Sequence, residues 1–246
     1  EPHALTKLVE TAESDESIGI AGPLVLDLKD KKTVQEAGMT IDKFGFPMQE
    51  KCSNQVVSEV FFVSGCAMLM KRAVLQTVGA FDDDFFMFAE DLDLCWRAQL
   101  AGYNIIVNKT SRIYHASGGS IVGGVAKSAH YKTDVRRIFL REKNTLRTLI
   151  KNYDTSDMFK IVPLYVALLI FESMFWFFIR KPYTGKNVLR AIVWNLKVLP
   201  DTLRERAIVQ SLRSVGDREI TRKMMHGYLK LSLFIAAGMP DFVNSK

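Results

Sequence analysis

Apolar residues along this chain change their spacing several times, and each change marks an element. From His3 to Thr11, Leu5, Leu8 and Val9 recur at helical intervals, whereas Ile18 to Leu26 is apolar almost throughout, as a buried strand is. A Gly-Pro pair at 22 and 23 breaks that strand. Residues 34–50 alternate loosely around Gly38, Gly45 and Pro47, the pattern of a surface hairpin. The run Val60 to Met70 reads as a strand interrupted by Ser64, Gly65 and Cys66, and a glycine in such a place marks close approach by a ligand or another backbone. Helical spacing resumes at Glu90 with Leu92, Cys95, Trp96 and Leu100, and Gly102 stops it. A strand over Asn104–Val107 follows, then Arg112 to His115, then the glycine-rich stretch Gly118 to Gly124.

The second half is patterned differently. Over residues 134–152, Ile138, Phe139, Leu146, Leu149 and Ile150 sit among Arg136, Arg137, Arg141, Lys143, Arg147 and Lys151, a basic amphipathic helix suited to a membrane surface. Ile161 to Ile179 is apolar for 19 residues apart from Glu172 and Ser173, and as a helix extends about 28 Å, close to one hydrocarbon thickness. Glu172 at mid-bilayer costs roughly 2.5–3.5 kcal/mol, and Pro163 weakens the first turn. Two geometries therefore stand open: a span over 161–179, or an interfacial hairpin with a helix over Val188–Leu199, whose Trp194 and Lys197 reach the headgroups. Positive charge flanks both ends and gives no orientation.

Charge follows the same division. Residues 1–120 hold 11 Lys and Arg against 17 Asp and Glu, and residues 121–246 hold 22 against 10, so an acidic half precedes a strongly basic one. A basic half of this kind meets phosphate, either of nucleic acid or of anionic lipid. Its long apolar runs favour lipid, and no nucleic-acid partner is expected. Cys52, Cys66 and Cys95 form no metal-ligand pair and no disulfide framework, consistent with a reducing cytosolic setting. The pattern divides the chain into an α/β unit at 1–130, a basic connecting helix at 131–157, and a mainly helical, membrane-associated region at 158–246.

Chemistry concentrates at Glu90-Asp91-Leu-Asp93, three carboxylates opening a helix directly after an aromatic run. Acids in a first turn complement the helix dipole and cap free N–H groups, which is a sufficient structural reason for them. A carboxylate at a sheet edge is equally placed to take a proton from a hydroxyl, with burial raising its basicity. His115 closes a strand before the glycine-rich stretch. No glycine directly precedes Lys127-Ser128, so that stretch is not a P-loop.

The succession Phe62-Val-Ser-Gly65-Cys-Ala-Met, Val78-Gly-Ala-Phe81-Asp82, Phe85-Phe86, Glu90-Asp91-Leu-Asp-Leu-Cys-Trp-Arg97, Gly102-Tyr103 and Tyr114-His115 resembles family 2 glycosyltransferases of the rhamnosyl- and galactofuranosyltransferase-like group. Phe139-Leu-Arg-Glu-Lys-Asn144-Thr-Leu-Arg147 resembles their post-domain helix. The resemblance implies the C-terminal, acceptor-side half of a GT-A mixed sheet, a nucleotide-sugar donor, a divalent metal (Mg or Mn) and an inverting displacement. It assigns Asp91 as base, Glu90 as its acidic neighbour holding the acceptor, and Gly65, Asp93, Trp96 and Arg97 as substrate-side or base-supporting positions. His115 is implied as a metal ligand.

The acidic pair that grips metal and diphosphate in this family falls before the first helix, so it is expected upstream of Glu1, together with about 80–120 residues of donor-binding sheet. The acceptor expected is a lipid-linked or cell-surface glycan at the cytoplasmic face of the cell membrane. The alternative is a catalytically inactive, membrane-docked scaffold of a polysaccharide-assembly complex.

Overall fold

A computed structural model describes residues 1–50, 55–116 and 132–242. A helix, α1 (Ala4–Glu13), leads into β1 (Ile18–Asp27), the central strand of a mixed sheet. Short strands β2 (Val34–Glu36), β3 (Met39–Ile41), β4 (Pro47–Gln49), β5 (Val57–Glu59) and β6 (Leu69–Met70) follow, then α2 (Arg72–Val78), α3 (Glu90–Leu100) and the long β7 (Asn104–His115). The sheet runs β2-β1-β7-β5, with β6 also paired to β1, while β3 and β4 form a separate hairpin. Within this sheet β1 and β7 are the parallel pair among the described residues, so the ends of these two strands lie side by side, with Asp27 opposite His115. Their register slips after Pro23, where proline offers no N–H and β7 carries extra residues.

Two strand expectations are corrected. Asn104–Val107 and Arg112–His115 are one strand of 12 residues, because the slip lets β7 continue past the irregularity. Val60–Met70 is not one strand: Val60–Val63 pass buried beneath the hairpin, their N–H groups donating to Ile105 and Met39, and the chain turns at Ser64–Ala67. The end of α3 follows expectation. Gly102 takes φ +92, Gly102 N donates to Gln99 O, and Tyr103 N donates to Ala98 O, the paired bonds of a glycine-closed helix.

The second half is helical: after β8 (Lys132–Thr133) come α4 (Val135–Asn152), α5 (Thr155–Phe178), α6 (Pro182–Lys197), α7 (Leu199–Ser211), α8 (Asp217–Arg222), α9 (Leu229–Ala237) and β9 (Asp241–Phe242). The amphipathic helix α4 was expected on a membrane surface, and the structure overturns that. From Glu142 to Asn152 every residue of α4 is buried, wedged between α3 on one side and α5, α6 and α7 on the other. Its cations have protein partners. Arg147, 1% exposed, meets Asp82, Asp84 and Asp201, and Lys151 meets Asp82 and Asp93. Trp194, expected at headgroup level, lies over α4 with the Lys143 ammonium 4.2 Å from its ring centre.

The arginines of α7 and its C-terminal flank close the other end of α4. Arg206, Gln210 and Arg213 donate to carbonyls of Ile150, Lys151, Asn152 and Tyr153, groups that a helix end leaves without partners. The last helices also return to the sheet unit. Leu229 N donates to Asp42 Oδ2 at 2.8 Å, and Ser214 N to Leu100 O at 2.7 Å. One hydrophobic core therefore runs from Ile20 and Trp96 through Leu146 to Tyr165 and Trp176.

Candidate active site

The loop that delivers α3 is strained. Phe86, Phe88 and Ala89 all have left-handed backbone (φ 63, 70 and 61), a conformation that side chains with a Cβ seldom adopt. Asn144 of α4 holds it, its Nδ2 donating to the carbonyls of Phe85, Met87 and Phe88 at 3.0, 2.8 and 2.6 Å. The turn sets Glu90 and Asp91 against the loop carrying Gly65. Asp91 Oδ2 accepts from Gly65 N at 3.1 Å and Oδ1 from Leu92 N at 2.8 Å.

Both carboxylates face a cavity of about 540 Å³ walled also by Glu36, Met39, Phe62, Ser64, Met87, Phe88 and, from α4, Arg137 and Arg141. Glu36 was not foreseen. It ends β2, some fifty residues before Asp91, and accepts from Ser64 N at 2.7 Å. Burial pushes its carboxyl up to about 7, and the Asp91 charge adds to the rise. Glu90 is likewise raised to about 7 by burial and by Asp91. Burial raises Asp91 too, against the N–H groups of Gly65 and Leu92, which favour its charged form. Three carboxylates thus share one partly dehydrated wall.

Asp91 meets one free N–H of the first turn, that of Leu92, but capping does not account for Glu90. The residue preceding α3, Ala89, makes no side-chain cap, and Glu90 Oε2 is buried with no hydrogen-bond partner among the described residues. Asp93 turns the opposite way from the cavity and is fully buried. It accepts from Arg97 Nε at 2.8 Å, Lys151 Nζ at 3.1 Å and Asn152 Nδ2 at 3.2 Å.

Three of the residues expected at substrate-side or base-supporting positions lie away from the cavity. Asp93 and Arg97 are the buried ion pair that ties α3 to α4, and Arg97 also donates to the carbonyls of Val78 and Ala80. Trp96 is core, edge-on to Phe61 and Tyr153 with centroids 5.4 and 4.9 Å apart. None of the three lines the cavity. Gly65 does meet Asp91, yet a Cβ built there comes only to 3.8 Å of Asp91 Cβ, so the fold itself does not demand glycine.

His115 lies at the end of β7, its carbonyl accepting from Leu28 N and from Gln35 Nε2 at 3.0 Å. Gln35 Nε2 also donates to Asp27 Oδ2, which turns the amide oxygen toward His115 Nδ1 at 3.1 Å. In a neutral ring that contact puts the proton on Nδ1 and leaves the Nε2 lone pair for a metal. His115 fits a metal as one donor. Among the described residues, the acids and histidines that converge as a set of three are Asp154, Asp157 and Asp217 at the α5 N-terminus, remote from it in the fold. The glycine-rich stretch Gly118–Gly124 lies outside the described residues.

The acidic cavity is thus built from the end of β2, the Gly65 loop, the start of α3 and the first turns of α4. The family model described as "Glycosyltransferase like family 2" matches residues 1–132, more than half of the chain, and the chain belongs to that family. Curated relatives include the N-acetylglucosaminyl-diphospho-decaprenol L-rhamnosyltransferase of Mycobacterium tuberculosis, in strains CDC 1551 and H37Rv. Each is 31% identical over 88 residues, which take in 35% of this chain and 28% of the relative's length.

Proposed function

We propose that this chain is the acceptor-side part of an inverting glycosyltransferase of GT-A type, acting on a lipid-linked glycan, with Asp91 as general base. The observation that carries the reading is the Asp91 carboxylate, held by two backbone N–H groups on the wall of an acidic cavity beside the unpartnered Glu90 Oε2. In the reaction Asp91 takes the proton of the acceptor hydroxyl. The freed oxygen bonds to the anomeric carbon of the donor sugar as the bond from that carbon to the nucleotide diphosphate breaks on the opposite face. Glu90 and Glu36, raised toward neutral pH, hold acceptor hydroxyls by hydrogen bonds. A divalent cation, when bound, stabilises charge on the departing diphosphate, and His115 Nε2 is the donor this chain offers it.

The rhamnosyltransferase relatives name a decaprenyl-diphosphate acceptor, and a polyprenyl-diphosphate-linked sugar is the acceptor class proposed here. Membrane attachment is part of the same reading. α5 is the one helix among the described residues long and apolar enough to cross a bilayer. Tyr165, Leu169, Ser173 and Trp176 form one buried stripe on it, tied to the body by Tyr165 Oη donating to Glu142 at 2.5 Å and Ser173 Oγ to Gly185 O at 3.0 Å. The opposite face is bare: Phe159, Phe171, Met174 and Phe178 are 63–86% exposed. Through that bare face α5 meets the bilayer, as a span or as an interfacial helix.

Asp91→Asn, made in the protein with whatever sequence precedes Glu1 in its gene, is expected to lower sugar transfer by about 10²–10⁴-fold without changing the thermal midpoint much. Unchanged transfer would remove the base assignment, and absence of transfer by the parent protein would favour the inactive-scaffold alternative.

A further inference from the structure

A second cavity, of about 450 Å³, lies between α5 and α9 and is walled chiefly by Leu168, Phe171, Phe175, Leu231 and Phe234. It adjoins the acidic cavity: Phe46, Thr133, Arg141 and Leu233 line both. Its outer lip is formed by Phe171, 71% exposed, and Leu231, 51% exposed, which belong to the bare apolar face of α5 and α9. Bare face, apolar cavity and acidic cavity therefore lie in sequence along one path, with Arg141 at the junction and Asp91 beyond it.

We propose that this groove holds the hydrocarbon chain of the acceptor, with its diphosphate at Arg141 and Arg137; the inference rests on the glycosyl-transfer reading above. The order of surfaces along the path is carboxylates, then guanidinium groups, then aromatic and aliphatic side chains. A sugar joined through phosphate to an isoprenoid has those parts in the same order. Arg141 is set for the middle position. Its guanidinium lies over the Phe46 ring at 5.1 Å and is oriented by Glu142 through bonds of 3.0 and 2.8 Å. Arg137 stands over Phe88, 4.7 Å from the ring centre, on the acidic side of the junction.

The remaining charges on the groove wall are satisfied by one another, as a site for hydrocarbon requires. Lys230 donates to Glu142 at 2.9 Å and to Glu172, and Trp176 Nε1 donates to Glu172 at 3.2 Å. Glu172, costly in a bare transmembrane helix, is thereby half of a partly buried ion pair.

Two measurements on the full gene product test the proposal. Leu168→Trp, which fills the groove, is expected to raise KM for a long polyprenyl-diphosphate-linked sugar at least about tenfold and to leave kcat/KM for a water-soluble short-chain analogue unchanged. Equal losses with both acceptors, or no loss with either, would overturn it. Separately, a benzophenone-bearing polyprenyl diphosphate in detergent micelles is expected to label segments 168–176 and 231–234, and Leu168→Trp to abolish that labelling. Labelling elsewhere overturns the groove whatever the activity. Equal labelling by a benzophenone phosphatidylglycerol also overturns it, the occupant then being bulk lipid. Groove labelling with no transfer to either acceptor would instead sink the glycosyl-transfer reading alone.

Discussion

Glu90 is a carboxyl group whose surroundings favour its proton. Because its folded pKa lies near 7 and above the ordinary 4.5, ionising it costs the folded state, and that cost grows as pH rises from about 4.5 through 7. Glu90→Gln removes the ionisation. The variant is expected to match the parent in thermal midpoint at about pH 5 and to exceed it at about pH 8, read by calorimetry across the range. A gap that stays constant with pH would mean Glu90 is solvated and ordinary. Asp82 has the opposite sign. Burial alone would raise its carboxyl, but Arg147 and Lys151 outweigh burial and hold it at about 2. Its contribution is full above the ordinary 3.8 and lost as pH falls from there through about 2.

At the scale of elements, α3 and α4 are joined by charge rather than by apolar contact alone. Asp93→Ala leaves Arg97 and Lys151 buried beside an empty position, and about 3–5 kcal/mol of stability should be lost in urea unfolding. A loss below about 1 kcal/mol would mean that Asp93 does not hold α3 to α4. Asn144→Ala frees three carbonyls of the strained Phe85–Phe88 loop and should cost about 1–3 kcal/mol.

The start of α3 and its stop at Gly102 were legible because local rules govern them. The orientation of Asp93 was not, since one turn of helix separates a cavity wall from a core and periodicity does not say which side is which. Glu36 escaped notice for a related reason: its partner Ser64 is 28 residues away on another segment, and a three-residue strand carries no spacing signal. α4 showed its amphipathicity plainly, yet a basic face reads the same whether it meets lipid phosphate or, as here, Asp82 and Asp93.

Across the whole molecule, apolar side chains are distributed unevenly. Met174 and Phe178 on α5 join Leu189, Val193 and Leu196 on α6 as large exposed hydrophobics, more than a water-soluble surface usually gathers. The double variant Met174→Glu, Phe178→Glu is expected to abolish flotation with anionic liposomes while the protein stays folded by circular dichroism. Retained flotation would place the membrane contact elsewhere. The family match ends at residue 132, just before α4 begins. Asp82, Asp93 and the carbonyls of the 85–88 loop all find partners beyond that point, so a truncation at 132 would expose unpaired charge and strained backbone together. The segment that sequence comparison marks off is therefore expected to depend on α4 and α7 to fold: expressed alone, residues 1–132 should fail to show a cooperative melting transition.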